Sequence, residues 1–487
     1  MQGRVLSEAM RRALVLLSIL GAGALVLAGC GSSSSSANSP RATELSYLPA
    51  GSPLVIMAAT DPNGPAYQNA NGFIARFPAA KVALAALGSS FTASSGVNFD
   101  RDIKPLLGNP IALAAFNPSV FSKTSTRRFV FAFVSRDAGK LAALIGRKGT
   151  QSTGTYDGAK LYQRGSTAAA IDGANLVISD SLADVKSALD THAHNGGLSD
   201  SAYAHAVAGL PQNALLQVYG SLSGVLAKPS AAKARLVPWV AAIRSYALAL
   251  SVADTGITAS YRIDTSGAKL SANQLPLPVG ATAPSADAQA PVAVGIKQLS
   301  HLIGFGEEAA QAVNPAAYSK LIKQGAQAGI DLNRDIVSQF TGDAEVDYAP
   351  GGAAAFRAQV RDPAAAQRTL GKDVKALKPI GAGFYESRKA RNPARVGIAG
   401  SELVVGQATP AQLRAYAAAP ASPIAGTPGP LAFRVALQTL IALGLAKTGH
   451  PPLNPTVAGV LNMFGDITGY AANTTSELYG NFSLPLK

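Results

Sequence analysis

Cys30 is the residue most clearly placed for chemistry: it is the only thiol in the chain and follows the small residues Ala28 and Gly29. A thiol is a nucleophile, and small neighbours leave room for a peptidase at the bond before it. With no second cysteine it has no disulfide partner within the chain. The other candidates carry less. There are five histidines, His192, His194, His205, His301 and His450. His192 and His194 are spaced to offer two ligands from an extended segment. Zinc takes three or four ligands with supporting carboxylates, and the flanking Asp190 and Asn195-Gly196-Gly197 read as an exposed loop. Gly146-Arg147-Lys148-Gly149-Thr150 lacks the Gly-Lys-Ser/Thr order of a phosphate loop and reads as a basic turn. Glu307 and Glu308 are adjacent on an expected helix, so they do not face each other as an acid–base pair. In Gly220-Ser221-Leu222-Ser223-Gly224 the first serine sits beside the first glycine, which is not the spacing of a nucleophile elbow. No serine is grouped with a histidine and an acid. These residues imply no catalytic, metal or cofactor site, and the expectation is a protein that is not an enzyme.

The elements around Cys30 say what its thiol is for. Arg4, Arg11 and Arg12 give a positive start, and Ala13 to Ala28 is uncharged for 16 residues. That is a signal-peptide core, shorter than the ~20 residues a membrane-crossing helix needs. Leu27-Ala28-Gly29-Cys30 resembles the lipobox of bacterial lipoproteins. The resemblance implies a signal peptide over 1–29, cleavage before Cys30 and lipid attachment at the Cys30 thiol. It further implies a protein anchored in the cell membrane on its extracytoplasmic face. A tether over 30–41 follows, with Gly31 to Pro40 reading GSSSSSANSP. Two acyl chains hold such an anchor where one would not.

Hydrophobic residues make up 48% of the chain and charged ones 14%, so the body is globular, and its length is enough for two to four domains. Net charge is +14; Arg4, Glu8, Arg11 and Arg12 contribute +2 of this, which leaves +12 after the leader. A basic balance favours anionic lipid or wall polymer as neighbour. The densest stretch holds Lys372, Lys375, Lys378, Arg388, Lys389, Arg391 and Arg395 against Asp373 and Glu386, and reads as a solvated face. Export and the scarcity of interleaved aromatics argue against nucleic acid.

The body repeats. Gly96-Val97-Asn98-Phe99-Asp100-Arg101-Asp102-Ile103 matches Gly329-Ile330-Asp331-Leu332-Asn333-Arg334-Asp335-Ile336, 233 residues later. Ile171-Asp172-Gly173 before Leu176-Val177-Ile178 matches Ile398-Ala399-Gly400 before Leu403-Val404-Val405, 227 residues later. Order and spacing imply two homologous units, 42–265 and 290–487. They are joined by a linker over 266–289, where Gln274 to Pro291 is rich in Pro, Ala and Ser. In the first unit, strands are expected at 54–59, 128–134, 162–164, 168–171 and 176–179, and a hairpin at 246–263. Helices are expected at 73–87, 100–107, 138–145 and 181–189. Hairpins between helices give an α+β fold, each unit an antiparallel sheet with helices packed largely on one face.

Tyr47-Leu-Pro-Ala50, a strand and helix, and then the Gly-x-Asn-hydrophobic-x-Arg-Asp-Ile-x-Pro-x-Leu-Gly pattern of Gly96 to Gly108 resemble the DUF3352 family of exported bacterial proteins. The resemblance covers most of the chain after the leader, and it brings no catalytic residues because the family's function is unknown. The second unit departs from the pattern, with Ser338-Gln339-Phe340-Thr341 in place of the proline stretch. The Arg-Asp-Ile element itself reads as fold-building: a capped helix start, an inward Ile and a terminating Gly. The alternative is that Arg101 and Arg334 hold an anion. Two functions fit these residues. One is a non-catalytic binding protein for a lipid or other amphiphile. The other is a structural or assembly module that meets anionic wall polymers or another envelope protein. Oligomeric state is not legible.

Overall fold

The computed structural model describes residues 39–116, 128–147, 150–287, 290–348, 354–372, 377–388, 393–424, 426–439, 441 and 455–487. Cys30, the leader and most of the tether lie outside these, as do His450, Lys375, Lys389 and Arg391. The chain divides into two compact units.

Unit 1 comprises the described residues up to Val225 together with Arg244–Arg262. It runs α1 (Pro40–Ser46), β1 (Leu54–Ala58), α2 (Pro65–Ala75), α3 (Pro78–Ser95), a π-helical turn (Phe99–Ile103), β2 (Ile111–Ala115), β3 (Phe129–Val134) and α4 (Ala138–Ile145). Then come β4 (Gln151–Tyr156), β5 (Ala159–Arg164), β6 (Thr167–Asp172), β7 (Asn175–Ser179), α5 (Leu182–Ala193), α6 (Asp200–Ala206), β8 (Leu216–Ser221), β9 (Ser245–Ala253) and β10 (Gly256–Asp264). The strands lie in the order β10-β9-β8-β1-β2-β3-β7-β6-β5-β4. The ladders from β9 to β4 are antiparallel throughout.

The fold class is α+β with antiparallel sheets, as expected. The helices start where serine or aspartate side chains accept the orphan N–H groups of a first turn: Ser39 for α1, Asp137 for α4, Ser181 for α5 and Ser199 for α6. The expected helix over 73–87 is two helices, because Pro78 cannot continue α2 and instead opens α3. The larger core of unit 1 lies on one face of the sheet. There α1, α5 and α6 bring Leu45, Leu48, Val185, Leu189 and Tyr203 onto Val55, Met57, Ala112, Ala114, Val130 and Ala132. A smaller core on the opposite face gathers Leu141 of α4 with Leu106, Phe133, Ile171 and Leu176. The central strand β2 is therefore buried along its whole length. That is why its sequence, Ile-Ala-Leu-Ala-Ala, shows no alternation. The polar edge strand β4 carries no apolar signal at all and was not legible.

Unit 2 comprises Leu226–Ile243 and Ile263–Lys487. From residue 285 it runs β11 (Ser285–Asp287), β12 (Val292–Ile296), α7 (Leu299–Val313), α8 (Pro315–Gln327), a second π-helical turn (Leu332–Ile336), β13 (Phe340–Tyr348), β14 (Ala355–Val360) and α9 (Pro363–Lys372). β15 (Leu377–Gly381), β16 (Phe384–Ser387), β17 (Arg395–Ala399), β18 (Glu402–Gly406), α10 (Pro410–Ala417), β19 (Ala421–Pro423), β20 (Leu431–Val435), α11 (Pro455–Asn462), β21 (Ile467–Asn473) and β22 (Glu477–Pro485) follow. The strand order is β22-β21-β20-β12-β13-β14-β18-β17-β16-β15. This is the succession of unit 1, strand for strand, with an added two-stranded ribbon, β11–β19.

Three boundaries differ from the sequence expectation. Residues 39–41, read as the end of the tether, belong to the fold: Ser39 caps α1, and Arg41 donates to Asp200 at 2.6 and 3.0 Å. Residues 226–243, read as part of unit 1, group with unit 2. The stretch 266–289, read as a linker, is packed into unit 2, with Leu275, Leu277 and Ala286 buried and β11 paired to β19. Its Pro- and Ser-rich composition marks turns, not freedom, because a few leucines are enough to seat it.

Helix α1 is locked from behind by residues 196–198. Leu198 N–H donates to Leu48 O at 2.7 Å, and Gly197 bridges to Pro49. A Cβ on Gly197 would overlap the Ser46 backbone, which has no room to yield. Gly197→Ala is therefore expected to cost roughly 1–3 kcal/mol through overpacking, read as a lowered urea midpoint with unchanged slope.

Candidate functional site

The Arg-Asp-Ile element is built around its aspartate. Asn98 caps the π-helical turn by accepting the Arg101 N–H, and the Asp102 carboxylate accepts the Asn98 N–H at 2.7 Å. Arg101 donates to both oxygens of Asp102 at 2.8 and 3.0 Å, and Arg147 reaches the same carboxylate at 2.7 Å. The two guanidinium groups, Arg101 first, hold the Asp102 carboxyl far below the usual carboxylate range. Unit 2 repeats the arrangement. Asp331 caps, Asp335 accepts the Asp331 N–H at 3.0 Å, and Arg334 donates to it at 2.8 and 3.2 Å. Lys372 stands where unit 1 has Arg147, 3.4 Å from Asp335 and donating to Gly329 O at 3.0 Å. The motif is a clamp closing a turn onto the basic residue that follows a helix. Arg101 and Arg334 are spent on their neighbouring aspartates, and the turn of Gly146-Arg147 serves this clamp.

The other sequence candidates are brought together differently from expectation. His192 and His194 lie at the C-terminal end of α5, not in a loop. His192 stacks on Tyr47 at 4.3 Å with its Nδ1 2.6 Å from Ser46 Oγ, while His194 Nδ1 bonds Asp190 O. Ser46 Oγ already donates to Thr43 O at 2.6 Å, so its single proton is committed and the imidazole must donate to it. The ring thereby packs on Tyr47 and braces the end of α1. His205 sits in the last turn of α6, and His301 bonds Leu275 O at 3.0 Å. Ser221 pairs with Ser223 at 2.9 Å. Among the described residues no group of three or more His, Cys, Asp or Glu is arranged to hold a metal. Of the basic stretch, Lys372 belongs to the clamp, Arg388 donates to Leu377 O, and Arg395 bonds Gln407 O, Ala408 O and Glu386. These contacts engage three of the seven basic residues that the sequence presents as a free face.

Two features that the sequence did not reveal are the strongest sites. The first is an apolar row. In unit 1, directly opposed residues of six adjacent strands are Ile178, Phe131, Leu113, Ile56, Val218 and Leu248. In unit 2, the equivalent six strands place Val405, Phe356, Val346, Val294, Phe433 and Gly469 in line, and β22 adds Phe482. Gly469 lacks a side chain because the Phe433 ring lies over it, and that ring contacts Phe482 at 5.6 Å. Val346 is 37% exposed and Phe482 43%, while the other row residues, apart from the buried Leu113 and Gly469, are partly accessible. Six strands at ~4.8 Å spacing span about 24 Å, enough to lie along an acyl chain filling half of a ~30 Å hydrocarbon core.

The second is a buried charged cluster on the other face of unit 2. Glu345, Asp347 and Arg357 are only 2%, 8% and 4% exposed. Arg357 Nε donates to Glu345 Oε2 at 2.6 Å; Nη2 is as close to the same oxygen but off the hydrogen-bonding direction. Nη1 donates to the carbonyls of Tyr416 and Ala419, at 3.0 and 2.9 Å, and so caps the end of α10. The guanidinium also lies 5.0 Å from the Tyr416 ring centre. Asp347 Oδ1, Glu402 Oε2 and the Tyr416 hydroxyl find no well-formed hydrogen bond. Burial, then the neighbouring Glu345, push the Asp347 carboxyl up to about 8. Burial raises Glu402 as well. By strand pairing and helix cap, these positions correspond to Ala112, Ala114, Ala132 and Ala188 of unit 1. There the alanines leave space for α1. Unit 2 has no such helix, and long polar side chains occupy the place.

Residues 10–375 match the family described as "Protein of unknown function (DUF3352)". The chain is a member of the DUF3352 family. No curated protein matches it. Crystal forms III and I of TP0453 are each 12% identical to this DUF3352 protein, cover 47% of it and 82% and 81% of their own chains, and superpose with a TM-score of 0.26.

The clamp makes a pH prediction for this DUF3352 protein. Asp102 is held below its unfolded pKa, so its contribution is complete above about pH 4 and is lost as pH falls below it. Asp102→Asn should melt at a lower temperature at pH 7 and lose less stability than wild type between pH 5 and pH 3, measured by thermal scans across that range.

Proposed function

We propose that this protein is an extracytoplasmic lipoprotein, anchored through acylated Cys30, that binds a lipid or other amphiphile without transforming it. The observation that carries the reading is the in-register apolar row of unit 2, which is exposed at Val346 and Phe482 and is matched strand for strand in unit 1. A side chain such as Phe482 or Val346 is normally buried on folding at a gain of roughly 1.5–3 kcal/mol. Leaving several in one line is the mark of a surface that meets an apolar partner. The matching order and pairing of elements in the two units also support a duplication of one ancestral unit. The reading as a module for anionic polymers is less favoured, because Lys372, Arg388 and Arg395 are engaged by the protein's own carbonyls and carboxylates.

Native mass spectrometry of the protein extracted in mild detergent tests the binding. Bound lipid is expected on wild type and should fall several-fold in Val346→Glu/Phe482→Ser, whose sites are exposed enough for the fold to tolerate the change. Apoprotein mass alone from wild type would defeat the reading. Anchoring is tested separately: Cys30→Ser should leave the membrane fraction for the soluble one with an unchanged melting temperature. Retention after washing would make the leader an uncleaved anchor.

A further inference from the structure

We propose that the buried cluster of unit 2 is a proton-dependent latch, which holds the β11–β19 ribbon closed while Asp347 is protonated and releases it when that proton leaves. The ribbon is short, three residues a side, and stands apart from the main sheet. Two strands of that length are not stable by themselves, so what seats them decides whether they stay.

The anchors are few and all pass through charge. Asp287 N–H of β11 donates to Glu345 Oε1. At the ribbon's other end Ser285 N–H donates to Asp343 at 2.9 Å, and Asp343 is paired with Lys297 at 3.0 Å. On the β19 side, Arg357 grips the Ala419 carbonyl two residues before the strand starts and holds Glu345 with its other edge. One guanidinium therefore ties both strands of the ribbon to the sheet. Arg434 adds bonds to the Asp287 and Ala290 carbonyls. Apolar seating is small, Ala286 and Ile424 against Ala293 and Ala432.

Asp347 sits where its charge would strain this arrangement. Glu345 on its own strand and Asp287 on the ribbon are the acids that bear on it, Arg357 is the cation that opposes them, and Arg434 lies on the same face across Ala293. Tyr416 presents a hydroxyl from α10, and Glu402 on β18 draws on Arg357 as well. With Asp347 neutral, Arg357 is balanced by Glu345. With Asp347 ionised, one guanidinium faces several carboxylates in a dry site, and the cheapest relief is to admit water by lifting the ribbon, which ends in the N–H that Glu345 holds. Unit 1 has alanines at the matching positions, and its own buried carboxyl, Glu44 of α1, accepts the Val134 N–H.

Hydrogen exchange of peptides covering 284–287 and 419–424 in the full chain tests this, between pH 6 and 9.5 and corrected for intrinsic exchange. In wild type the opening equilibrium should rise by up to about tenfold per pH unit from pH 6 to about 8, where Asp347 ionises in the closed form, and level off above that. Asp347→Asn should abolish the rise. Glu345→Gln, which keeps an oxygen for the Asp287 N–H while removing the neighbouring charge, should still show the rise but level off at lower pH, because Asp347 then ionises more readily in the closed form. Peptides of unit 1 should show the same profile in wild type, Asp347→Asn and Glu345→Gln. A flat wild-type profile, or an unchanged slope in Asp347→Asn, would overturn the proposal. None of these outcomes depends on lipid being bound at the opposite sheet face.

Discussion

Each unit hangs on a central strand pair that is covered on both faces, and what those strands carry decides everything packed on them. In unit 1 the inward positions are Ala112, Ala114 and Ala132, each fully buried. Their small side chains let α1 lie close against the sheet, so Leu45 and Leu48 fill the space and Glu44 reaches the Val134 N–H at 3.1 Å. In unit 2 the same positions are Glu345, Asp347 and Arg357. A charge cannot be buried unpaired, so here the guanidinium, a helix end and an added ribbon assemble around the strand pair instead of a helix.

The clamps follow the same rule at smaller scale. Asp102 and Asp335 are acids at the start of a turn, where N–H groups and a basic side chain converge on them. Each uses its cations locally. Together with the carbonyl bonds of Arg388 and Arg395, this turns a strongly basic composition into a body whose cations are in good part answered from within. What the sheet leaves exposed on the opposite face is apolar: Val346 and Phe482 in the row through Val294. The proposed binding surface thus lies on the sheet face opposite the charged cluster.

The sequence by itself determined the elements whose signals are local. The helix over 138–145, the β9–β10 hairpin and the repeated Arg-Asp-Ile turn all depend on residues a few positions apart, and all stand where expected. The family membership rested on the same local pattern. Only the tertiary structure decided the rest. Ile56, Val218 and Leu248 look like ordinary strand residues until pairing sets them side by side. Glu345, Arg357 and Tyr416 are unremarked charges and an aromatic until the sheet brings them within one hydrogen bond of each other. Both sites are built from residues far apart in the chain, and register is a property of the partner strand as much as of the strand itself. Periodicity could say that a residue faces inward, but not what it would find there.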